Sequence, residues 1–433
     1  MHSLDFIAQL DWDTLPEPVR IRARQCLRDL IGVAAGGLNT NLSAIIRDHA
    51  AFDLPGEMPM MFDHRSAAPA AAAMAMGMTI DSLDGHDGYN PSKGHVGCPL
   101  LPVLLVLGHL KQVSGREFMT ALVAGYEFGA RAAAAQHATA PDYHTSGSWG
   151  AVAGAAAGAR LMGLSTEPAR HALGIAEYHG PRSQMMRCID HPTMLKDGSG
   201  YGAMAAVSAV QLAARGFTGA PSLIAEQAPE YWGDLGDSWL ILQQYFKPYP
   251  VCRWAQAPVE AILALRSAHG LQSADIAEIT VESFHEAIRL ATAEPKTTEE
   301  AQYSTSFPCA VAMVRGRVAP ADLDGAALHD PEILRLSRGL RMTESEQANA
   351  VFPETRLARV TLALRDGRNL VSDWHQPRWD PDVPPSEAEL SEKYHELADP
   401  VLGPERARAI AATIERLEDA PLTALTDHLF GAV

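Results

Sequence analysis

Residues 151–163, AVAGAAAGARLMG, are built almost wholly of Ala, Gly, Leu, Met and Val. A helix of that composition has small faces on most sides, so it can approach its neighbours closely and is buried around most of its circumference. Working outward, similar helical runs occupy 18–36, 67–83, 99–113, 115–136, 148–163, 167–176, 201–215 and 255–269. The chain is therefore read as mostly α, with a large all-helical domain over residues 1–266. Beyond about residue 270 the periodicity changes. Segments 276–285 (IAEITVESFH) and 358–364 (ARVTLAL) alternate apolar and polar residues, and AspGly at 366–367 leads into 369–373 as a hairpin turn would. Helical segments at 306–315 and 330–336 lie between them, which predicts a smaller α+β domain over 267–385. The tail, 386–402 and 404–417, is helical again and densely charged, so 386–433 is expected to pack back on the first domain. Pro377, Pro381, Pro384 and Pro385 mark the crossover.

A chain of 433 residues exceeds one ordinary core. With 47% hydrophobic and 20% charged residues it is globular and not disordered. A formal charge of −17 argues against nucleic acid and anionic membrane surfaces as partners. It leaves anionic substrates open, because a local Lys/Arg cluster can dominate within a Debye length of about 8 Å. Residues 1–20 lack a signal-peptide pattern and no apolar run reaches about 18 residues, so a cytoplasmic location is expected. Cys26, Cys98, Cys188, Cys252 and Cys309 are scattered without a CxxC pair. They read as small buried residues and indicate neither disulfides nor an iron–sulfur cluster.

Chemistry concentrates in loops. Residues 81–103, DSLDGHDGYNPSKGHVGCPLLPV, crowd Asp81, Asp84, His86, Asp87, Lys93 and His95 between two apolar helices. Gly, Pro and Asn let such a loop fold tightly and present catalytic groups, although a solvated acidic turn is the alternative reading. Three more polar loops precede helices or helical runs: HisThrSer at 144–146, DHPTMLKDGS at 190–199 and KPYPVCR at 247–253. Together they suggest one site assembled on a helical scaffold. His95 and His144 are the natural proton carriers, since imidazole titrates near neutral pH. Lys196 could fix a carboxylate or act as a base, or it could be a surface lysine paired with Asp197. Lys247 and Arg253 flank two prolines and read as a carboxylate clamp. Asp84, His86, Asp87 and His95 offer ligands for a divalent ion, but without a fixed metal spacing, so no metal is expected.

The order of these motifs, Asp84 to His95, His144, Lys196 after ThrMet, ArgGlyPheThrGly at 215–219 and LysProTyrPro at 247–250, resembles the MmgE/PrpD family along essentially the whole chain. The resemblance implies a helical domain plus an α+β domain, a homodimer, no cofactor or metal, and a cleft between domains that takes a small polycarboxylate. It makes Asp84, His95, His144 and Lys196 the catalytic positions. Substrate contacts are expected from Lys247, Arg253, Gln256 and His86. Two departures stand out: Gln256 where the family commonly has His, and Phe307, in SerThrSerPhe, where members often have Tyr. Neither can donate or exchange a proton as those residues do. The first expectation is accordingly a cofactor-independent epimerase that removes and returns a proton α to a carboxylate, as in iminodisuccinate epimerase. The alternatives are a hydro-lyase or decarboxylase like 2-methylcitrate dehydratase or cis-aconitate decarboxylase, and a non-catalytic polycarboxylate binder. His86, His179, His191, Arg182 and Arg187 fall outside the motifs. The segment 183–187, SQMMR, could present Arg187 to an anion or simply lie on a surface helix.

Overall fold

The computed structural model describes residues 3–140 and 142–433. The first domain is a stack of helices: α1 (Glu17–Gly37), α2 (Asn41–Asp53), α3 (Pro69–Asp81), α4 (Gly97–Lys111), α5 (Gly115–Thr139), α6 (Ser146–Leu161), α7 (Thr166–His179), the short α8 (Met186–Asp190) and α9 (Ser199–Ala213). α3 starts with Pro69 in its first turn and is buried along nearly its whole length, as is α4 up to Gly108. That is the outcome expected of helices apolar all round. Because the loop 82–96 joins two such helices, its carboxylates and histidines are carried into the interior. α2, whose sequence NLSAIIRDHAAFD mixes polar and apolar residues too evenly to announce a helix, is one nonetheless, capped by the Thr40 side chain.

The second core begins earlier than the change of periodicity suggests. α10 (Arg253–His269) contributes Ala255, Val259 and Ile262 to the same cluster as the sheet, and that cluster reaches back to Tyr249. The boundary at 266 therefore separates α10 from the elements it packs against, because the helical period of α10 hides its membership in an α+β core. The sheet comprises β1 (Ile276–Ser283), β2 (Arg341–Glu344), β3 (Ala358–Leu364) and β4 (Asn369–Val371), in the order β2-β1-β3-β4. β1 pairs antiparallel with β3, placing Val281 opposite Val360, and β3 turns into β4 through Asp366–Gly367, with Gly367 at φ 90°. β2 runs parallel to β1. It is four mostly exposed residues with no apolar alternation, which is why it is not legible in sequence. α10 packs on β3 and α12 (Pro331–Gly339) on β1, while α11 (Ser306–Arg315) packs against both helices, with Phe307 fully buried in this core.

The tail helices α13 (Glu387–Leu402) and α14 (Pro404–Ile414) bury Leu390, Tyr394, Ala398 and Ile410 in the core of the helical domain. Among the described residues no helix is long and apolar enough to cross a membrane.

Candidate active site

The loop after α3 turns at Asp84, whose φ of 51° is left-handed. Its carboxylate is buried and ion-paired to Lys247, with Nζ 2.5 Å from Oδ1, and the same ammonium donates to the Asp84 carbonyl at 2.8 Å. Burial alone would pull Lys247 down, but the Asp84 charge outweighs it and holds the lysine above its ordinary value. Lys247 is thus the internal counter-ion of Asp84 and is not free to clamp a ligand.

His95 lies at the far end of the same loop. Its Nδ1 is 2.5 Å from the Asp87 carbonyl, and since a carbonyl only accepts, Nδ1 carries the proton and Nε2 the lone pair. Nε2 faces Asp84 Oδ1 at 3.9 Å, too far for a hydrogen bond. Burial, then the neighbouring His86 and Lys247, push His95 well below the usual imidazole range. It is a neutral base at pH 7. His86, expected to touch substrate, is instead fully buried behind His95, edge-on with ring centroids 4.3 Å apart, and its Nε2 is 3.4 Å from Asp81 Oδ1. It is a support for His95. Single atoms of Asp81, His86 and Cys98 lie within 4.8 Å of one another, but each already has a protein partner: His86 with Asp81, and Cys98 with the Gly77 carbonyl.

The other loops close on this one. Ser146, at the start of α6, accepts from the His95 backbone N–H at 2.8 Å and donates to Asp197. Asp197 consequently does not pair with Lys196; burial and the nearby Asp81 charge raise it. Lys196, also left-handed at φ 50°, is buried, donates to Gln302 and lies 4.8 Å above the Tyr303 ring. Gln302 in turn donates to the Ser82 carbonyl at 3.0 Å, so the α+β domain reaches across to the first loop. His144 is buried beside this seam with Nδ1 unpartnered, and its backbone bridges to Gln184. The structure therefore gathers Asp84, His95 and Lys196 at one seam: Asp84 Oδ1 lies 3.9 Å from His95 Nε2, and Lys196 reaches the loop that carries Asp84 through Gln302 and the Ser82 carbonyl. It places His144 two residues from Ser146, which binds His95.

Two expected contacts are engaged elsewhere. The Arg253 guanidinium lies 3.8 Å over the Tyr245 ring and binds Asp380 at 2.5 Å, so its charge is already neutralised. Gln256 donates to the Tyr249 and Val251 carbonyls, both at 2.9 Å, and so staples the 247–252 loop. Phe307 is in the α+β core and cannot stand for a missing acid. A phenol that does lie near the site is Tyr303, four residues earlier in the same QYSTSF stretch, with its ring beneath Lys196. Burial, with the charges of Asp84 and its neighbours, raises its hydroxyl well above the usual value, so it stays protonated. Its sequence signal is weak, a lone Tyr in a polar turn.

A cavity of about 440 Å³ opens beside Lys196, bordered by Thr145, Gln184, Arg187, Cys188 and His191. The seam between the domains thus holds the residue types that acid–base chemistry uses: an imidazole held below its usual range, a tyrosine held above its own and a buried lysine. The sequence matches the MmgE/PrpD N-terminal domain over residues 4–232 and the MmgE/PrpD C-terminal domain over 249–419. The chain belongs to the MmgE/PrpD family. It is 25% identical to a cis-aconitate decarboxylase of Aspergillus terreus over 95% of this chain and 92% of the relative. It is also similar to the cis-aconitate decarboxylases of Mus musculus, 23% over 81% and 76%, and Homo sapiens, 24% over 81% and 77%.

Proposed function

We propose that this enzyme is a lyase that removes carbon dioxide or water from a small polycarboxylate, with decarboxylation the first reading. The observation that carries it is the similarity to cis-aconitate decarboxylases over 95% of the chain, and Tyr303, a buried hydroxyl beneath Lys196, supplies a proton donor such a reaction would use. An epimerase needs no acid for a leaving group, and the ground for that expectation weakens once Phe307 lies in the core and Gln256 holds backbone.

In decarboxylation the bond to a carboxylate breaks, carbon dioxide leaves, and the electron pair passes to a carbon conjugated with a second carboxylate. Lys196 stabilises the resulting enediolate-like charge. A proton then goes to carbon from Tyr303. In dehydration, His95 Nε2 takes the α-proton and Tyr303 protonates the departing hydroxyl. Either way the polyanion also raises His95 toward neutral pH by its charge, making it a stronger base when substrate is bound. The named relatives support the decarboxylase choice.

Proton NMR in deuterium oxide tests the reading. Incubation with cis-aconitate or 2-methylcitrate should yield new olefinic signals. Tyr303→Phe should slow their appearance by roughly 10²–10⁴-fold, the usual contribution of a general acid. Phe307→Tyr, which buries a hydroxyl in an apolar core, should cost stability without adding turnover. Deuterium exchange at an α-carbon with no olefinic product would replace the lyase by the epimerase.

A further inference from the structure

We infer that Arg187, at the mouth of the Lys196 cavity, binds the carboxylate of the substrate farthest from the reacting carbon and makes the enzyme select molecules that carry it. The inference rests on the polycarboxylate reading above and names which polycarboxylates are taken.

Three observations support it. First, the cavity lining contains Lys196, Arg187 and His191 and, among the described residues, no carboxylate, in a chain with a net charge of −17. An acid-free basic cavity in an acidic protein is a place where an anion finds an attractive local field against the global one. Second, the acids nearest in sequence are turned to other partners. Asp190 is held by Arg289, with Nε 2.9 Å from Oδ1, and Asp197 by Ser146. Arg187 itself makes no side-chain hydrogen bond or ion pair among the described residues. Third, the cavity holds a buried hydroxyl with nothing to bond: Thr145 is 4% exposed and its Oγ1 has no partner. A buried polar group left unpaired is costly, and turning this hydroxyl about its side-chain torsion toward the cavity would let it donate to a bound carboxylate.

The segment carrying Arg187 is fixed in place. Met185 N–H donates to the Tyr143 carbonyl at 2.7 Å, Thr145 N–H to the Ser183 carbonyl at 2.9 Å, and His191 N–H to the Arg187 carbonyl at 3.1 Å. The short α8 is thereby tied to the HisThrSer loop, and Arg187 is exposed at the entrance while Lys196 is buried. A guanidinium there can take a carboxylate through two parallel hydrogen bonds, which ammonium cannot reproduce.

Isothermal titration of tricarballylate and of methylsuccinate, which is tricarballylate lacking one terminal carboxylate, separates the possibilities. Wild type should bind tricarballylate more tightly by roughly tenfold or more, the ordinary worth of a charge-assisted hydrogen bond. Arg187→Gln should erase that advantage while leaving methylsuccinate unchanged, and Arg187→Lys should keep part of it. Unchanged melting of these surface variants verifies folding. If wild type binds both ligands but Arg187→Gln keeps the full preference, or if wild type shows no preference, this inference is overturned and the lyase reading stands. If wild type binds neither, the polycarboxylate reading falls and takes this one with it.

Discussion

Asp84, Lys93 and Lys196 share a left-handed backbone, with φ of 50–51°, a conformation that costs a non-glycine residue about 1–3 kcal/mol. Two of them carry the network around His95, where the Lys247 ion pair and the Gln302 bond over-determine their geometry. Asp87 exposes a second cost of burial. It accepts from Tyr126, yet burial and then the Asp29 charge push it up to about 6, against roughly 3.9 in an unfolded chain. A raised carboxylate binds protons more tightly when folded, so its contribution to stability is present at low pH and is lost as pH rises from about 4 to 6. About two pKa units correspond to about 3 kcal/mol. Asp87→Asn removes that dependence. The stability difference between variant and wild type, from urea unfolding at pH 4 to 7, should therefore shift by about 3 kcal/mol in the variant's favour, with the slopes of other carboxylates cancelling. A constant difference would show that Asp87 titrates normally. At this scale the sequence marked the right residue types, because buried charge in a Gly-rich loop is expensive without a use. It could not show that His86 stands behind His95, that Asp380 occupies Arg253, or that Phe307 faces a core. Those facts depend on partners 9 to 127 residues away.

The helices position the chemistry through small residues. Gly77 in α3 meets Gly200 in α9 so closely that a Cβ on Gly77 would lie 2.7 Å from the Gly200 Cα, with only backbone there to yield. This contact sets the start of α9, where the Ser199 N–H approaches Asp81 Oδ2 at 3.4 Å, directly after Lys196 and Asp197. Gly77→Ala should accordingly cost about 1–3 kcal/mol by overpacking and also lower turnover by displacing Lys196. Thermal melting and kcat measured together check it; a stable variant with wild-type kcat would mean that α9 is positioned by other contacts. These helices were legible because Ala- and Gly-rich runs have few alternatives to close-packed helix. β2 was not, since its pairing with β1 is set by tertiary placement and not by its own alternation.

At the scale of the molecule, the two domains are laced together next to the site. Arg356 donates to Asn90 Oδ1 at 2.6 Å, Asn90 donates to Asp380 at 2.9 Å, and Asp380 receives Arg253. What the single chain leaves uncovered lies on the other side of the helical domain. Along α9, Tyr201, Met204, Ala205, Ser208 and Leu212 recur at helical spacing and are the positions of that stripe not buried. With Ile175 and His179 of α7 they line a groove of about 320 Å³. Tyr178 is 79% exposed and Tyr201 47%. An apolar stripe of this kind, on a chain whose net charge otherwise keeps copies apart, is matched best by its own image across a two-fold axis. The homodimer implied by the family resemblance is therefore proposed to form through α7 and α9. Light scattering after gel filtration should give about twice the chain mass of 46.5 kDa. Tyr201→Glu with Leu212→Glu, which sets like charges across the axis, should give the monomer mass with an unchanged circular dichroism spectrum. A wild-type monomer at micromolar concentration would refute the dimer, and a double variant that remains dimeric would move the interface elsewhere. Because Tyr201 also borders the Lys196 cavity, a second copy seated on this face would stand beside the mouth that Arg187 guards. Leu212→Glu alone, which lies outside that cavity, is then expected to weaken tricarballylate binding at concentrations where it breaks the dimer.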